Sequence, residues 1–474
     1  MAESVRGIHV ALKVLLWIFV FRAAVSGCAQ EMVPEIPKIK VDVALVTADV
    51  TVLGSKAPEL QAEDFIVYDN DIAQQVTHFS RDKLPIAVAL VIDRSSSIRP
   101  YLPLLQKASI AALGRLRPED PVALFTFDDD LLKLSDLTAD RARIAEIIGK
   151  LTIGNGTNIN DAIGGVAVYL RRKAPDHRRA IILVSDNCHT LNGRTTGDIA
   201  RVEVLESTAT LYSIKTPGDN YASNMRVRDP GCHDSILLVR QLADETGGQV
   251  LDVKAGTSLQ EALENAISHL RLQYTLGFSP SDAGQAGSFH KLGVKFAAED
   301  RCPGCRLLAR SGYYVGNSPA SLLSEKRAAL PEPGSEPDPL MVRRKLEAAE
   351  TIDLDLLDIP FLAGTSKQED ADGKPQVRID LQIDFSGIGF KTVDGRRACK
   401  LHIAVFPADE NGKALDPQFR RLEGGLQEET YNRVREAGMA ISISIPLKVP
   451  KQNLKIVIYD EISESVGSRK AHFP

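Results

Sequence analysis

Three short segments hold residues that suit a hard cation. Asp93-Arg94-Ser95-Ser96-Ser97 sets one carboxylate and two hydroxyls at alternate positions. Gly154-Asn155-Gly156-Thr157-Asn158 offers the Thr157 hydroxyl, and Ser185-Asp186 adds a second carboxylate. Asp93, Ser95, Ser97, Thr157 and Asp186 make an all-oxygen set that needs no thiol or imidazole. Such a set fits Mg2+ or Mn2+ in octahedral geometry. With so few carboxylates, coordination positions stay open. An exposed Asp or Glu of a protein partner is the natural completing ligand. Each segment also has a plainer reading. Asp and Ser beside a helix start commonly cap it, and Thr157, Asn158 and Asp161 can do the same.

Other chemistries find less support. The chain has no His-Glu-x-x-His, no Gly-x-Ser-x-Gly and no Gly-x4-Gly-Lys-Ser/Thr segment. A hydrolase needs a positioned nucleophile or base, and only Cys188-His189 beside Asp186 suggests one. Neighbouring side chains seldom face each other, so that pair is a weak candidate. Asp128-Asp129-Asp130 reads as a solvated turn.

These segments need a scaffold that brings them together. Ile86–Ile92 is a continuous apolar run, as expected of a parallel strand buried on both faces. Similar runs recur at Val122–Phe127, Ile181–Val184 and Thr210–Ile214, with helical periods between them. The alternation predicts an α/β fold with a doubly wound, mostly parallel sheet over 85–270. All three polar segments then fall at the carboxyl edge of that sheet, where such folds bind ligands. Strand patterns at 38–84 and again at 271–316 imply that the α/β part is inserted into a β domain. Residues 317–375 read as a linker, and 376–474 as a β-rich, sandwich-like domain.

With this scaffold on hand, the likeness is specific. Asp93-x-Ser95-x-Ser97, then Thr157, then Asp186 resembles the metal-ion-dependent adhesion site of von Willebrand factor type A (VWA) domains. The resemblance covers about 84–270, and all five positions are filled in order. It implies a Mg2+ or Mn2+ held by the two serines and the threonine, with the aspartates acting largely through bound water. A ligand's acidic group would complete the shell. Glu63-Asp64-Phe65-x-Val67-x-Asp69 and Ser311-Gly312-Tyr313-Tyr314 further resemble the exported VWFA-related proteins of the acidobacterial type. The function expected is a non-enzymatic, metal-dependent protein-binding module. The alternatives are an enzyme or enzyme accessory subunit, and an envelope component whose metal only stabilises it.

Charge and cysteines bear on partner and compartment. Lys and Arg number 57 against 62 Asp and Glu, for a net charge of −5. A nucleic-acid binder normally carries a basic excess, so nucleic acid is not expected as a partner. Residues 1–29 have the form of an export signal: Arg6 and Lys13, then the apolar run Val14–Phe21, then small residues. Val25-Ser26-Gly27-Cys28 resembles a lipobox, which would make Cys28 a lipidation site and anchor the chain to a membrane. Cleavage near Ala29 is the other reading. The expected location is the periplasm, the outer membrane as a lipoprotein, or the medium. An oxidising compartment permits disulfides. Cys302 and Cys305 flank a Pro-Gly turn, and Cys188 and Cys232 can pair. A zinc site built with His189 and His233 lacks the short spacing such sites use.

Overall fold

In the computed structural model, the described residues are 45–473, apart from 55–58, 82–83, 191–194, 218–229, 254–257, 283, 286, 299 and 316–338. The signal-like segment with Cys28 and most of the expected linker lie outside them. Among the described residues no helix is long and apolar enough to cross a membrane.

The chain first lays down β1 (Val46–Leu53), β2 (Phe65–Asp69), β3 (Ile72–Gln74) and β4 (Val76–Arg81). It then enters the α/β part with β5 (Ile86–Asp93), followed by α1 (Leu102–Leu113), β6 (Val122–Phe127) and β7 (Leu131–Thr138). Helices α2 (Arg141–Gly149) and α3 (Ile159–Lys173) precede β8 (Arg178–Ser185). Next come α4 (Gly197–Ser207), β9 (Thr210–Lys215), α5 (Pro230–Glu245), β10 (Gln249–Asp252) and α6 (Leu259–Arg271).

These strands form a six-stranded sheet of order β10-β9-β8-β5-β6-β7. All pairs are parallel except β6 with β7. The apolar run of β5 explains its central place. Its eight residues are all buried. Ile86, Val88, Leu90 and Ile92 face one core with α1, α2 and α6. Ala87, Ala89 and Val91 face the other with α3, α4 and α5. The period of two thus serves two cores at once. The edge strands β7 and β10 carry no such run and are not evident in the sequence pattern.

The chain then returns to the frame with β11 (Gln273–Phe278), β12 (Phe289–Phe296), β13 (Arg306–Ala309) and β14 (Gly312–Tyr314). Strands from before and after the α/β part share two sheets, β13-β1-β11-β4 and β14-β12-β2-β3. Val50 pairs with Tyr274 and Val67 with Val294 in antiparallel register. Their inward side chains, with Phe65, Leu276 and Phe278, form a separate core. The α/β unit is therefore inserted into a β frame.

The segment read as linker differs from expectation. Residues 339–375 contain α7 (Pro339–Glu350) and β15 (Phe361–Glu369). Val342, Lys345, Leu346 and Ala349 recur at helical spacing and are buried. The polar, proline-rich stretch before them masks that pattern. Strands β16 (Pro375–Ile383), β17 (Lys391–Val393), β18 (Arg396–Ala408) and β19 (Gln418–Leu426) follow. Helix α8 (Glu428–Ala437) and β20 (Met439–Pro446), β21 (Gln452–Asp460) and β22 (Val466–Phe473) complete the chain. One sheet runs β15-β16-β20 and the other β17-β18-β21-β22, with β19 beside β18. Both bury their apolar sides in a shared core. Val342, Leu346, Ala404, Val457 and Tyr459 instead join the core that holds Leu132, Leu134 and Ile144. Helix α7 thus lies between the C-terminal β module and the α/β unit.

Candidate metal site at the sheet edge

Strand β5 ends at Asp93, and β8 ends one residue before Asp186. The two strands are hydrogen-bonded neighbours, with Ile92 opposite Val184. This pairing puts both carboxylates at one edge of the sheet. Asp93 is 0% exposed and Asp186 4%. Ser95, Ser97 and Thr157 are buried as well.

The polar contacts show what these side chains do. Asp93 Oδ1 accepts from the Ser95 amide (2.8 Å), and Oδ2 accepts from the Ser185 hydroxyl (2.6 Å). The Ser95 and Ser97 hydroxyls lie 3.0 Å apart. Ser95 stands at the N-cap of the short helix Ser96–Tyr101, yet its side chain caps no amide. At α3 the cap is Asn158, whose Oδ1 accepts from the Asp161 amide (3.3 Å). Thr157 is not the cap. The helix-capping alternative therefore fails for Ser95 and Thr157 and holds for Asn158.

Burial and the nearby Asp186 charge push the Asp93 carboxyl up to about 7, against the hydrogen bonds from Ser185 and Ser95. Two buried carboxylates that repel each other, beside two converging hydroxyls, form a donor set that fits a divalent cation. Among the described residues no group of three His, Cys, Asp or Glu gathers as a metal cluster. The oxygen set here depends on Ser and Thr.

The loops are held by residues without an assigned role in the sequence. Ser185 is one, and a buried strand-end serine needs a partner. The aspartate run is another, and the reading of it as a solvated turn is corrected. Asp128 is buried and its Oδ2 takes Arg94 Nε at 2.9 Å. Asp129 Oδ1 accepts from the Gly156 amide (2.7 Å). The Asp128 carbonyl accepts from the Asn158 amide (2.7 Å), and the Arg94 carbonyl from the Gly154 amide (2.7 Å). A Cβ on Gly154 would sit 1.9 Å from Asp128 Oδ2, so only glycine fits. The Thr157 amide donates to Thr190 Oγ1 (2.9 Å).

Behind Asp186, Asn187 takes a left-handed conformation with φ 61°. Its amide group is bonded to the Ser213 hydroxyl (2.8 Å). Asp186 Oδ1 accepts from the Cys188 amide (3.0 Å). Cys188 is joined to Cys232, and Cys302 to Cys305, while Cys399 is free and buried. In that pairing the Cys188 and Cys232 sulfurs are not available to zinc.

Residues 88–189 match the family described as von Willebrand factor type A domain. The α/β part has the VWA-type fold, a mostly parallel sheet between helices, with β-rich regions added on either side. No curated protein matches the chain. Among solved structures it is similar to an aerotolerance-related membrane protein from Bacteroides fragilis. That likeness has 19% identity and a TM-score of 0.30, over 39% of this chain and 98% of the other. It is also similar to BatB from Bacteroides thetaiotaomicron, at 17% identity and a TM-score of 0.31, over 39% of this chain and 97% of the other. A von Willebrand factor type A protein from Catenulispora acidiphila matches over 89% of this chain and 75% of its own, at 12% identity and a TM-score of 0.31.

Proposed function

We propose that the chain is a metal-dependent protein-binding module. VWA domains commonly mediate contacts between proteins, and this one gathers an oxygen donor set at its ligand-binding edge. Ser95, Ser97 and Thr157 would hold Mg2+ or Mn2+, and Asp93 and Asp186 would hold its water shell. The bound cation would supply an electrophilic centre for an Asp or Glu on a partner protein. The chain's own part is to hold the hydroxyls convergent and the carboxylates fixed before the partner arrives. One observation carries this reading: Asp93 and Asp186 are buried together while the Ser95 and Ser97 hydroxyls turn to each other instead of capping a helix. The export-like segment with Cys28 adds the proposal that the module works outside the cytoplasm, in an envelope or secreted setting, with a lipid anchor as one form.

The test is calorimetry with Mn2+ on the wild type and on Asp93→Ala. Charge-assisted hydrogen bonds are worth about 1.5–3 kcal/mol each, so the variant should bind Mn2+ at least about tenfold more weakly. Capture of partners from an envelope extract should stop in EDTA. Equal Mn2+ affinities, or capture indifferent to EDTA, would falsify the adhesion mechanism.

A further inference from the structure

The metal loops are braced from one side by the C-terminal module. Arg94 lies between Asp93 and Ser95 and is 3% exposed. Its Nε holds Asp128, and its Nη1 donates to Thr351 Oγ1 at 3.2 Å. Thr351 directly follows α7. Its hydroxyl donates to the Ala348 carbonyl (2.8 Å) and also accepts from Thr152 Oγ1 (3.0 Å). One hydrogen and two lone pairs are all that a threonine hydroxyl has, and all are used. Helix α7 also faces the aspartate run with two cations. Arg344 Nη1 lies 3.9 Å from Asp130 Oδ2, and the charge of the buried Lys345 acts on the same carboxylate. Three loops are thus gripped at once: 93–97 through Arg94, 128–130 through Arg344, and 152–158 through Thr152. The same three loops are tied to one another by the Gly154, Gly156 and Asn158 amides.

We infer that Thr351 and Arg344 are positioning residues for the metal loops, through which the C-terminal β module tunes metal affinity. This rests on the metal reading above. Neither residue would touch the cation. Thr351 acts through Arg94, whose backbone neighbours are Asp93 and Ser95, and Arg344 acts through Asp130. Coupling of this kind is reciprocal, so a bound metal must tighten the docking of α7 by the same factor.

The experiment uses the full chain and Mn2+ alone as probe. Calorimetry compares the wild type with Thr351→Val, Thr351→Ser and the double variant Arg344→Ala/Thr351→Val, each checked by a melting curve. Thr351→Val should weaken Mn2+ binding about threefold and the double variant about tenfold, as the loss of one hydrogen bond and one ion pair to partly exposed groups implies. Thr351→Ser restores the hydroxyl and should restore wild-type affinity. Amide exchange over 339–351 should slow when Mn2+ is added. If the double variant fails to fold, the valine and serine variants decide the matter. A wild type that binds Mn2+ with all variants unchanged overturns the coupling and leaves the metal site standing. A serine variant as weak as the valine one overturns the role of the hydroxyl. A wild type that binds no Mn2+ removes the metal reading, and the coupling with it.

Discussion

The β frame and the central sheet each bury a carboxylate, and they treat it in opposite ways. In the frame, Asp69 lies at the end of β2, 3% exposed. His290 Nδ1 from β12 sits 3.0 Å from its Oδ1, and the Tyr313 hydroxyl from β14 donates to its Oδ2 (3.0 Å). Three strands are stapled by a network closed within the chain. At the sheet edge, Asp93 meets hydroxyl and amide donors and faces a second carboxylate, Asp186. Asp358, in the C-terminal module, is intermediate, with Lys133 Nζ at 3.9 Å. A buried charge costs little when a partner is built in and much when none is. The chain supplies the partner where the carboxylate serves the fold. At the sheet edge it instead sets two carboxylates, Asp93 and Asp186, close enough for the charge of one to act on the other.

This contrast can be broken by substitution, and the largest effect is expected in the frame. Asp69→Ala would leave the His290 ring and the Tyr313 hydroxyl facing a buried gap. It should cost about 3 kcal/mol of stability by thermal denaturation. Its Mn2+ affinity should match the wild type, and a loss as large as that of Asp93→Ala would erase the distinction between the two sites.

The disulfides sharpen the same contrast. The Cys188–Cys232 bridge closes a loop with a sequence separation of 44, the Cys302–Cys305 bridge one of 3. Replacing the first pair by serine should cost about 2–4 kcal/mol and the second less, about 1.5 kcal/mol. The first should also loosen Asp186, whose carboxylate takes the Cys188 amide. Peptide mapping without reductant tests the pairing itself, and free thiols at 188 and 232 would refute it.

A smaller effect distinguishes Asp93 from ordinary structural aspartates. In EDTA, Asp93→Asn removes the repulsion from Asp186 and should raise stability by about 1 kcal/mol. If Mg2+ raises the melting temperature of the wild type, as the proposed site requires, the same variant should lose that shift. A variant less stable than the wild type in EDTA would mean that Asp93 is structural, like Asp69.

The smallest effect concerns pH. Burial raises the Asp358 carboxyl to about 6, with Lys133 opposing and Asp136 adding. The folded chain therefore holds this proton more tightly than the unfolded one, whose carboxyl titrates near the ordinary value of 3.8. Stability from this group is full below about pH 4 and falls as pH rises toward 6. Asp358→Asn should flatten that slope. Parallel melting curves for both proteins across this window would contradict the assignment.

Much of this was legible in the residues. The apolar runs of β5, β6, β8 and β9 placed the sheet, because a strand buried on both faces has no room for polar side chains. Asp93, Ser95, Ser97, Thr157 and Asp186 were legible as candidates because their segments follow a strand or lead into a helix of the α/β part. Edge strands β7 and β10 were not, since a half-exposed strand tolerates mixed residues. Helix α7 was hidden by the polar stretch before it. Asp128–Asp130 misled because a charge run has the same composition whether it meets water or a buried arginine.

The sequence by itself determined the α/β order, the insertion between frame strands and the candidate ligands, since these follow from local periodicity and from residue type at strand ends. Only the tertiary structure decided which hydroxyls cap helices and which converge, that Cys188 reaches Cys232, and that Arg94 and Thr351 tie the site to a domain more than 250 positions away. Those facts are contacts between segments distant in the chain. A hydrogen bond depends on distance and angle between its partners, and neither is written in the spacing of residues along one strand.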